Sequence, residues 1–279
     1  MFNLLSAEFY KLRKSKGILL GLLAAALLVL LLYGSLVMID KINQGELANG
    51  TNGVMVFHNG EPAESDGTAE SMMEQVGVIG VIQQMFGGHF VGMILAVLVS
   101  MFVIREFGSG AVKNLVGKGY PRAVIFLAKM LAVMVLTLIF QAAVLAITIG
   151  MGLPFMGQEM FSATVWKDAV IYAGFQLLFG TVIAMFFMLV GELARNLAAG
   201  IAVSIGVLMF STTLTAGLDL VFHGLNFQPS DYWVLDLMSD CPVKDFSSEF
   251  IVRGILVSIV WFFIAAVLGI VHFQKADVK

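Results

Sequence analysis

The chain is poor in charged residues, in proline and in cysteine. Of its 279 residues only 13% are charged, against about a quarter in a soluble domain, while 59% are hydrophobic. A single cysteine, Cys241, excludes an internal disulfide and is expected to be a free thiol. The net charge of −3 is small, so no basic surface suited to nucleic acid is expected. This composition excludes a soluble globular domain and predicts a membrane protein.

Sequence motifs for chemistry are missing as well. No G-x-x-x-x-G-K-[ST] phosphate loop occurs, because the nearest match, VGKG at 116–119, lacks both the leading glycine and the following Ser or Thr. The four histidines are scattered, without H-E-x-x-H, and no G-x-S-x-G is present, so we predict neither a catalytic site nor a metal site. We interpret His89 as an interfacial residue rather than a ligand.

Six long apolar stretches are present, and each is long enough to cross the hydrocarbon, which takes about 20 residues. The expected spans are 17–39, 85–104, 123–155, 169–191, 196–222 and 251–272. They leave an N-terminal segment at 1–16, outer loops at 40–84 and 223–250, and a polar connection at 105–122. The first stretch is too long for the apolar region of a signal peptide and is interpreted as a retained anchor. The sequence thus predicts one all-α integral membrane domain over residues 1–279.

The distribution of charge predicts the orientation of these spans. Twelve of the sixteen Lys and Arg residues fall on one set of connections, which includes both termini, and fifteen of the nineteen Asp and Glu residues fall on the other. Cytoplasmic loops carry an excess of Lys and Arg, so both termini are expected in the cytoplasm. The acids lie at span boundaries or in loops, whereas a proton-coupled secondary transporter normally carries them near the bilayer midplane. That class of transporter is therefore disfavoured.

The cytoplasmic connection 105–122 contains an amphipathic pattern. Phe107, Ala111 and Leu115 recur every four residues, which predicts a short helix from about Glu106 to Val116 with one apolar stripe. Gly117, Gly119 and Pro121 are expected to end it. Such a helix can lie on lipid headgroups or dock on a soluble partner, and a basic loop that only sets topology is the alternative.

This connection, with Glu106, Gly110 and GYPRAVIFLAK ending at Lys129, resembles the permease subunits of ABC-2 type exporters. The N-terminal FNLLSAEFYKLRKSK resembles the interfacial elbow helix of that family. The elbow places Phe2, Leu5, Phe9 and Leu12 on one face and Glu8, Lys11 and Lys14 on the other. The first outer loop is longer and more acidic than the minimum of the family.

The resemblance implies a non-catalytic membrane subunit in a bacterial cell membrane, surrounded by lipid. ATP and magnesium are then expected on a separate ATPase present in two copies, and a second permease half, identical or paralogous, is expected. The residues that the resemblance places at the ATPase contact are Glu106, Phe107, Gly110, Ala111, Leu115, Pro121 and Arg122. Glu192 and Arg195 would form a second, smaller contact, or alternatively a local ion pair on one helical turn.

Polar side chains within the spans are candidates for a cargo path. They are Gln141, Gln176, Ser211, Thr212 and Thr215. Ser and Thr in membrane helices more often bond their own backbone or a neighbouring helix, so helix packing is the alternative. A compact six-span permease is similar to exporters of amphipathic or antimicrobial peptides, such as the phenol-soluble modulin exporters. Lipids, lipid-linked glycans and small hydrophobic drugs are the rival cargoes.

Overall fold

The computed structural model describes residues 2–48, 57–58, 61–62, 72–108, 111–156, 163–222, 227–242 and 246–275. Its helices are α1 (Phe2–Lys14), α2 (Lys16–Ala48), α3 (Met72–Phe86), α4 (Phe90–Gly108), α5 (Ala111–Gly117), α6 (Arg122–Met156), α7 (Ala163–Ala194), α8 (Leu197–Phe222), α9 (Val234–Ser239) and α10 (Ser248–Lys275). A 3₁₀ helix spans Pro229–Tyr232, and two-residue strands, β1 (Phe57–His58) and β2 (Glu61–Pro62), pair antiparallel.

Five of these helices, α2, α6, α7, α8 and α10, are long and apolar enough to cross a membrane. A sixth crossing results if α3 and α4, which meet at an angle of 42°, form one bent span. Within the described residues the protein is thus helical apart from one small strand pair, and the prediction of an all-α multi-pass membrane protein is confirmed.

The helices on either side of the first outer loop extend further than expected. Helix α2 continues to Ala48, and α3 occupies residues 72–86, most of which were expected to lie in the loop 40–84. Val81, Met85 and Phe86 are buried, and α3 packs against α2 and α6. The run from Gln75 to Phe86 is free of charged residues, and the helix that it forms is stabilised by neighbours that are distant in sequence.

Helix α7 lies at the centre of the bundle and packs against α4, α6, α8 and α10. Its buried side chains include Phe179, Ala184 and Phe187. Helix α2 joins the bundle through Tyr33, whose hydroxyl donates a 3.0 Å hydrogen bond to the carbonyl of Thr148 in α6. We call the end that carries α1, α5 and the α7–α8 link the terminal end, and the end that carries α3 and α9 the distal end.

The α1 helix packs on α6 by a different face from the one expected. Leu4, Glu8 and Leu12, at intervals of four residues, are buried, and Leu12 contacts Ala132 of α6. Glu8 was assigned to the polar face, but it lies inside, where Lys11 donates to its Oε1 at 2.9 Å. Tertiary packing against α6 thus selects a face that is not the most apolar one.

Gly180 allows α6 and α7 to approach closely. A methyl group on Gly180 would lie 2.5 Å from Oε1 and 2.8 Å from Nε2 of Gln141, a fully buried side chain of α6. Gly174 lies six residues closer to the distal end of α7, and a methyl group on it would have no atom within 4 Å.

Replacing Gly180 by Ala should therefore destabilise the bundle, because the fully buried Gln141 amide must move aside to accept the added methyl group. We expect a loss of about 1–3 kcal/mol in free energy of unfolding, as for other overpacked cores. Thermal unfolding of the purified protein in detergent measures the effect. The matched control Gly174→Ala should be neutral or stabilising by up to about 1 kcal/mol, since Ala favours helix. Equal stability of the two variants would contradict this packing.

Candidate functional site

The residues expected to couple to an ATPase are distributed over three elements at the terminal end. Glu106 and Phe107 belong to the last turn of α4, Ala111 begins α5, and Gly110 lies outside the described residues, as do the side chains of the other three. Residues 109 and 110, between α4 and α5, lie outside the described residues. The single helix expected from Glu106 to Val116 therefore stays a prediction.

The short helix α5 has an outer and an inner side. Lys113 and Asn114 are exposed, whereas Leu115 and Val116 are half-buried and pack against the hydrophobic core. The chain then turns at Gly119, whose φ of +83° is readily adopted only by glycine. Pro121 is exposed and precedes α6, where the Arg122 Nη1 donates a 2.9 Å hydrogen bond to the Gln274 carbonyl of α10. The α5 segment thus contacts α4 and α6, and α6 is bonded to α10 through Arg122.

Glu192 and Arg195, the second pair of coupling candidates, differ in exposure. Glu192 is completely buried near the end of α7, and its carboxylate accepts no hydrogen bond from the described residues. Lys129, fully buried on α6, and Arg195 both lie close enough for their positive charges to stabilise that carboxylate. Because a carboxylate without exposed surface cannot touch a soluble partner directly, any coupling through Glu192 passes through its neighbours.

Arg195 lies in the two-residue link between α7 and α8 and is exposed. Its φ of +47° is unusual for a residue with a side chain and marks a sharp turn. Asn196 then begins α8 by accepting hydrogen bonds from the backbone N–H groups of Ala198 and Ala199, at 3.0 and 3.4 Å. This link resembles the α5 turn in presenting a cation at the terminal end.

None of the candidate cargo residues is exposed: Gln141, Gln176 and Thr215 are buried, and Ser211 and Thr212 are half-buried. Gln176 Nε2 donates a 2.9 Å hydrogen bond to the Met238 carbonyl of α9. The Thr215 hydroxyl lies within hydrogen-bonding distance of the carbonyls of Ser211, at 3.0 Å, and Thr212, at 2.9 Å. That backbone bonding is the packing alternative considered for the Ser and Thr residues of this helix.

The segment 227–242, expected in an outer loop, enters the bundle at its distal end. The indole Nε1 of Trp261, at the middle of α10, donates a 2.7 Å hydrogen bond to the Tyr232 carbonyl. Trp233 packs against that indole with ring centroids 5.0 Å apart, and Val234–Met238 are buried. Two ties to neighbouring elements hold the 3₁₀ helix, an ion pair of 2.8 Å between Arg253 and Asp231 and a 3.1 Å bond from Ser230 N to Asp219.

This inserted segment meets the break between α3 and α4. Ser239 Oγ donates to the Gly87 carbonyl at 3.2 Å and lies 3.4 Å from His89 Nε2. His89 has a φ of +64° and is buried, so it belongs to a protein junction rather than to the lipid–water interface. Helix-breaking backbone at membrane depth is tolerated only where protein or a water-lined cavity surrounds it. The contact between α9 and residues 87–89 provides that surrounding protein.

Asp236 of α9 is the buried acid that the sequence did not single out. Burial raises its pKa from 3.8 to about 6, with repulsion from Asp240 and Asp219 adding to the shift and a hydrogen bond with Thr215 opposing it. Only the presence of a carboxylate among the apolar residues of VLDLM hinted at this position. Within the described residues, no three His, Cys, Asp or Glu side chains come together as metal ligands.

The architecture defines the chain as a multi-pass helical membrane protein with one bent helix pair, α3 and α4, and an inserted distal segment. A family model described as ABC-2 family transporter protein matches residues 4–215, about three quarters of the chain. The chain therefore belongs to the ABC-2 transporter family. Members are the membrane-spanning subunits of ABC transporters and in general work with an ABC ATPase. No curated protein matches the chain.

The raised pKa of Asp236 predicts that the stability of the protein depends on pH. Since the folded state holds the proton more tightly than the unfolded chain, the stability due to protonation is complete below about pH 4 and is lost as the pH rises through about 6. In Asp236→Asn, the midpoint temperature of thermal unfolding should depend less on pH over this range. The control Asp168→Asn, at the start of α7, should keep the wild-type profile. An unchanged profile in Asp236→Asn would rule out this carboxyl as the source.

Proposed function

We propose that this protein is the permease subunit of an exporter that a separate ABC ATPase drives, and that its cargo is an amphipathic or antimicrobial peptide. The observation that carries the exporter assignment is the family match over residues 4–215. It is supported by the lack of a phosphate loop in the sequence, since ATP and magnesium must then be bound by another chain. The permease would change its packing as the ATPase closes and opens.

We assign the main ATPase contact to α5 and the turn that follows it. The exposed Lys113 and Asn114 offer a surface, and the inner Leu115 and Val116 pack on the core. A force applied to α5 would therefore reach α4, from which it continues, and α6, which begins at Arg122. The bond from Arg122 to the Gln274 carbonyl extends this connection to α10.

The α7–α8 link is assigned a smaller contact, with exposed Arg195 as the outer residue. Glu192 would act behind it as a positioning residue between Lys129 and Arg195. A fully buried carboxylate requires compensation by nearby positive charge. Movement of Arg195 by the ATPase would alter that compensation at the ends of α6 and α7 together.

A second permease half is proposed to pack on α8. Little of this helix is buried within the bundle, and it exposes small residues at Ala198, Ala202, Thr213, Ala216 and Gly217. Small residues let membrane helices approach closely, whereas bulky leucines pack equally well against lipid. These small residues, which share their side of α8 with the exposed Met209 and Leu220, are the positions where another helix could approach most closely.

The peptide cargo is supported by the apolar outer surfaces of the bundle. Amphipathic peptides partition into the membrane interface, from which a lateral path between helices is accessible. We place the distal part of the path near the inserted segment 227–242, where Gln176 and Thr215 meet α9. Gln141, whose buried amide makes no hydrogen bond within the described residues, is proposed to line its middle.

The docking assignment predicts the effect of charge reversal on α5. Purifying the tagged chain from its native membrane should retain a P-loop ATPase, identified by mass spectrometry. Light scattering should give two permease and two ATPase chains.

The double variant Lys113→Glu and Asn114→Glu should retain about tenfold less ATPase, because it places two negative charges at the proposed contact. A loss of this size is usual for substitutions at an interface. Ser248→Glu, exposed at the distal end, should retain the wild-type amount. Undiminished ATPase in the α5 variant would contradict the docking site.

The cargo assignment predicts that amphipathic peptides stimulate ATP hydrolysis by the reconstituted complex. The measurement compares initial rates with peptides, lipids and hydrophobic drugs at matched concentrations. Gln141→Ala should reduce the peptide response more than the basal rate, because it removes a polar group from the proposed path. A rate that no peptide changes, with lipid or drug stimulating instead, would refute the peptide cargo and leave the exporter assignment standing.

A further inference from the structure

The elbow between α1 and α2 collects exposed cations beside an exposed column of leucines. Arg13, Lys14 and Lys16 are exposed on either side of the single-residue break at Ser15. The only acid of α1, Glu8, is buried and paired with Lys11. The elbow therefore presents positive charge without a neutralising carboxylate of its own helix.

The leucine column begins directly at this cationic group. Lys16, Leu20, Leu23 and Leu27 recur at three- or four-residue spacing, so they lie on one face of α2. Leu20, Leu23 and Leu27 are 70%, 60% and 58% exposed. From Lys16 to Leu27 the helix rises about 16 Å, which matches half of the roughly 30 Å hydrocarbon thickness. One acyl chain of a phospholipid fits this length.

The aromatic side chains of α1 are placed as in an interfacial helix. Tyr10 is exposed, and Lys14 Nζ lies 4.8 Å from the centroid of its ring, which holds this cation at a defined position. Phe9 is also exposed, although the packing of α1 on α6 leaves Leu12 inside. Exposed aromatic rings next to cations are typical of the headgroup region of a bilayer.

From this arrangement we propose that the elbow is a binding site for an anionic phospholipid. The phosphate group lies between Arg13 and Lys16, whose Cα atoms are at most about 11 Å apart along the chain. The planar guanidinium of Arg13 suits bidentate phosphate recognition, and Lys16 adds a point charge. An acyl chain lies along Leu20, Leu23 and Leu27. The bulk of these leucines favours lipid over a second protein copy, which small residues would favour.

The test uses the purified full-length chain in detergent, titrated with phosphatidylglycerol or phosphatidylcholine, and counts bound lipids by native mass spectrometry. The wild type should prefer phosphatidylglycerol by about 5- to 10-fold, as expected for two or three cations near an anionic surface. Arg13→Gln with Lys16→Gln should remove the preference. The matched control Lys113→Gln with Lys118→Gln, which neutralises two exposed cations outside the elbow, should keep it.

Three outcomes would overturn the proposal. The first is an unchanged preference in the elbow variant that still elutes as a monodisperse protein. The second is displacement of phosphatidylglycerol by inorganic phosphate at equal concentration, which would indicate a phosphate site without acyl recognition. The third is efficient disulfide cross-linking of Leu23→Cys between two chains in a Cys241→Ala background, which would show that a second copy occupies the leucine column. None of these outcomes depends on the exporter assignment.

Discussion

The requirement that backbone N–H and C=O groups find partners inside a bilayer governs this structure. Continuous helices meet that requirement by themselves, which is why α2, α6, α7, α8 and α10 cross the bundle with few polar side chains. The backbone groups need other partners where the chain leaves the α-helical conformation, at residues 87–89 and at 227–233. The first segment is stabilised by Ser239 of α9, which donates to the Gly87 carbonyl. The second is stabilised by Trp261 of α10, whose indole donates to the Tyr232 carbonyl.

Many polar side chains within the bundle donate hydrogen bonds to backbone carbonyls. Gln176 and Ser239 bind backbone carbonyls of nearby segments, whereas Thr137 and Thr148 donate back to their own helix. Glu8, Lys129 and Glu192 bring charge into the terminal end, where Lys11 and Arg195 lie close to the two carboxylates. The terminal end thus holds the fully buried Lys129 and Glu192, while the distal end holds the buried Asp236 and the Arg253–Asp231 ion pair.

Connections between these two ends run through α6 and α7. Helix α6 begins beside the α5 turn, and Tyr33 of α2 contacts its distal half through the Thr148 carbonyl. Helix α7 extends from Glu192 to Gln176, which contacts α9 directly. The close approach at Gly180 keeps the two helices in register, since a side chain there would collide with Gln141. A displacement at the terminal end can reach the inserted segment through these two packed helices.

The sequence by itself determined the membrane class, the approximate position of most spans and the lack of a phosphate loop, because hydropathy and motifs are properties of contiguous residues. It also supported the family through the segments ending at Lys16 and Lys129. Only the tertiary structure decided that Glu8 faces inward, that residues 72–84 form a helix, and that Val234–Met238 are buried. The reason is physical: burial depends on which distant helix lies alongside a residue. A carboxylate such as Glu8 or Asp236 looks solvent-exposed until that neighbour is known.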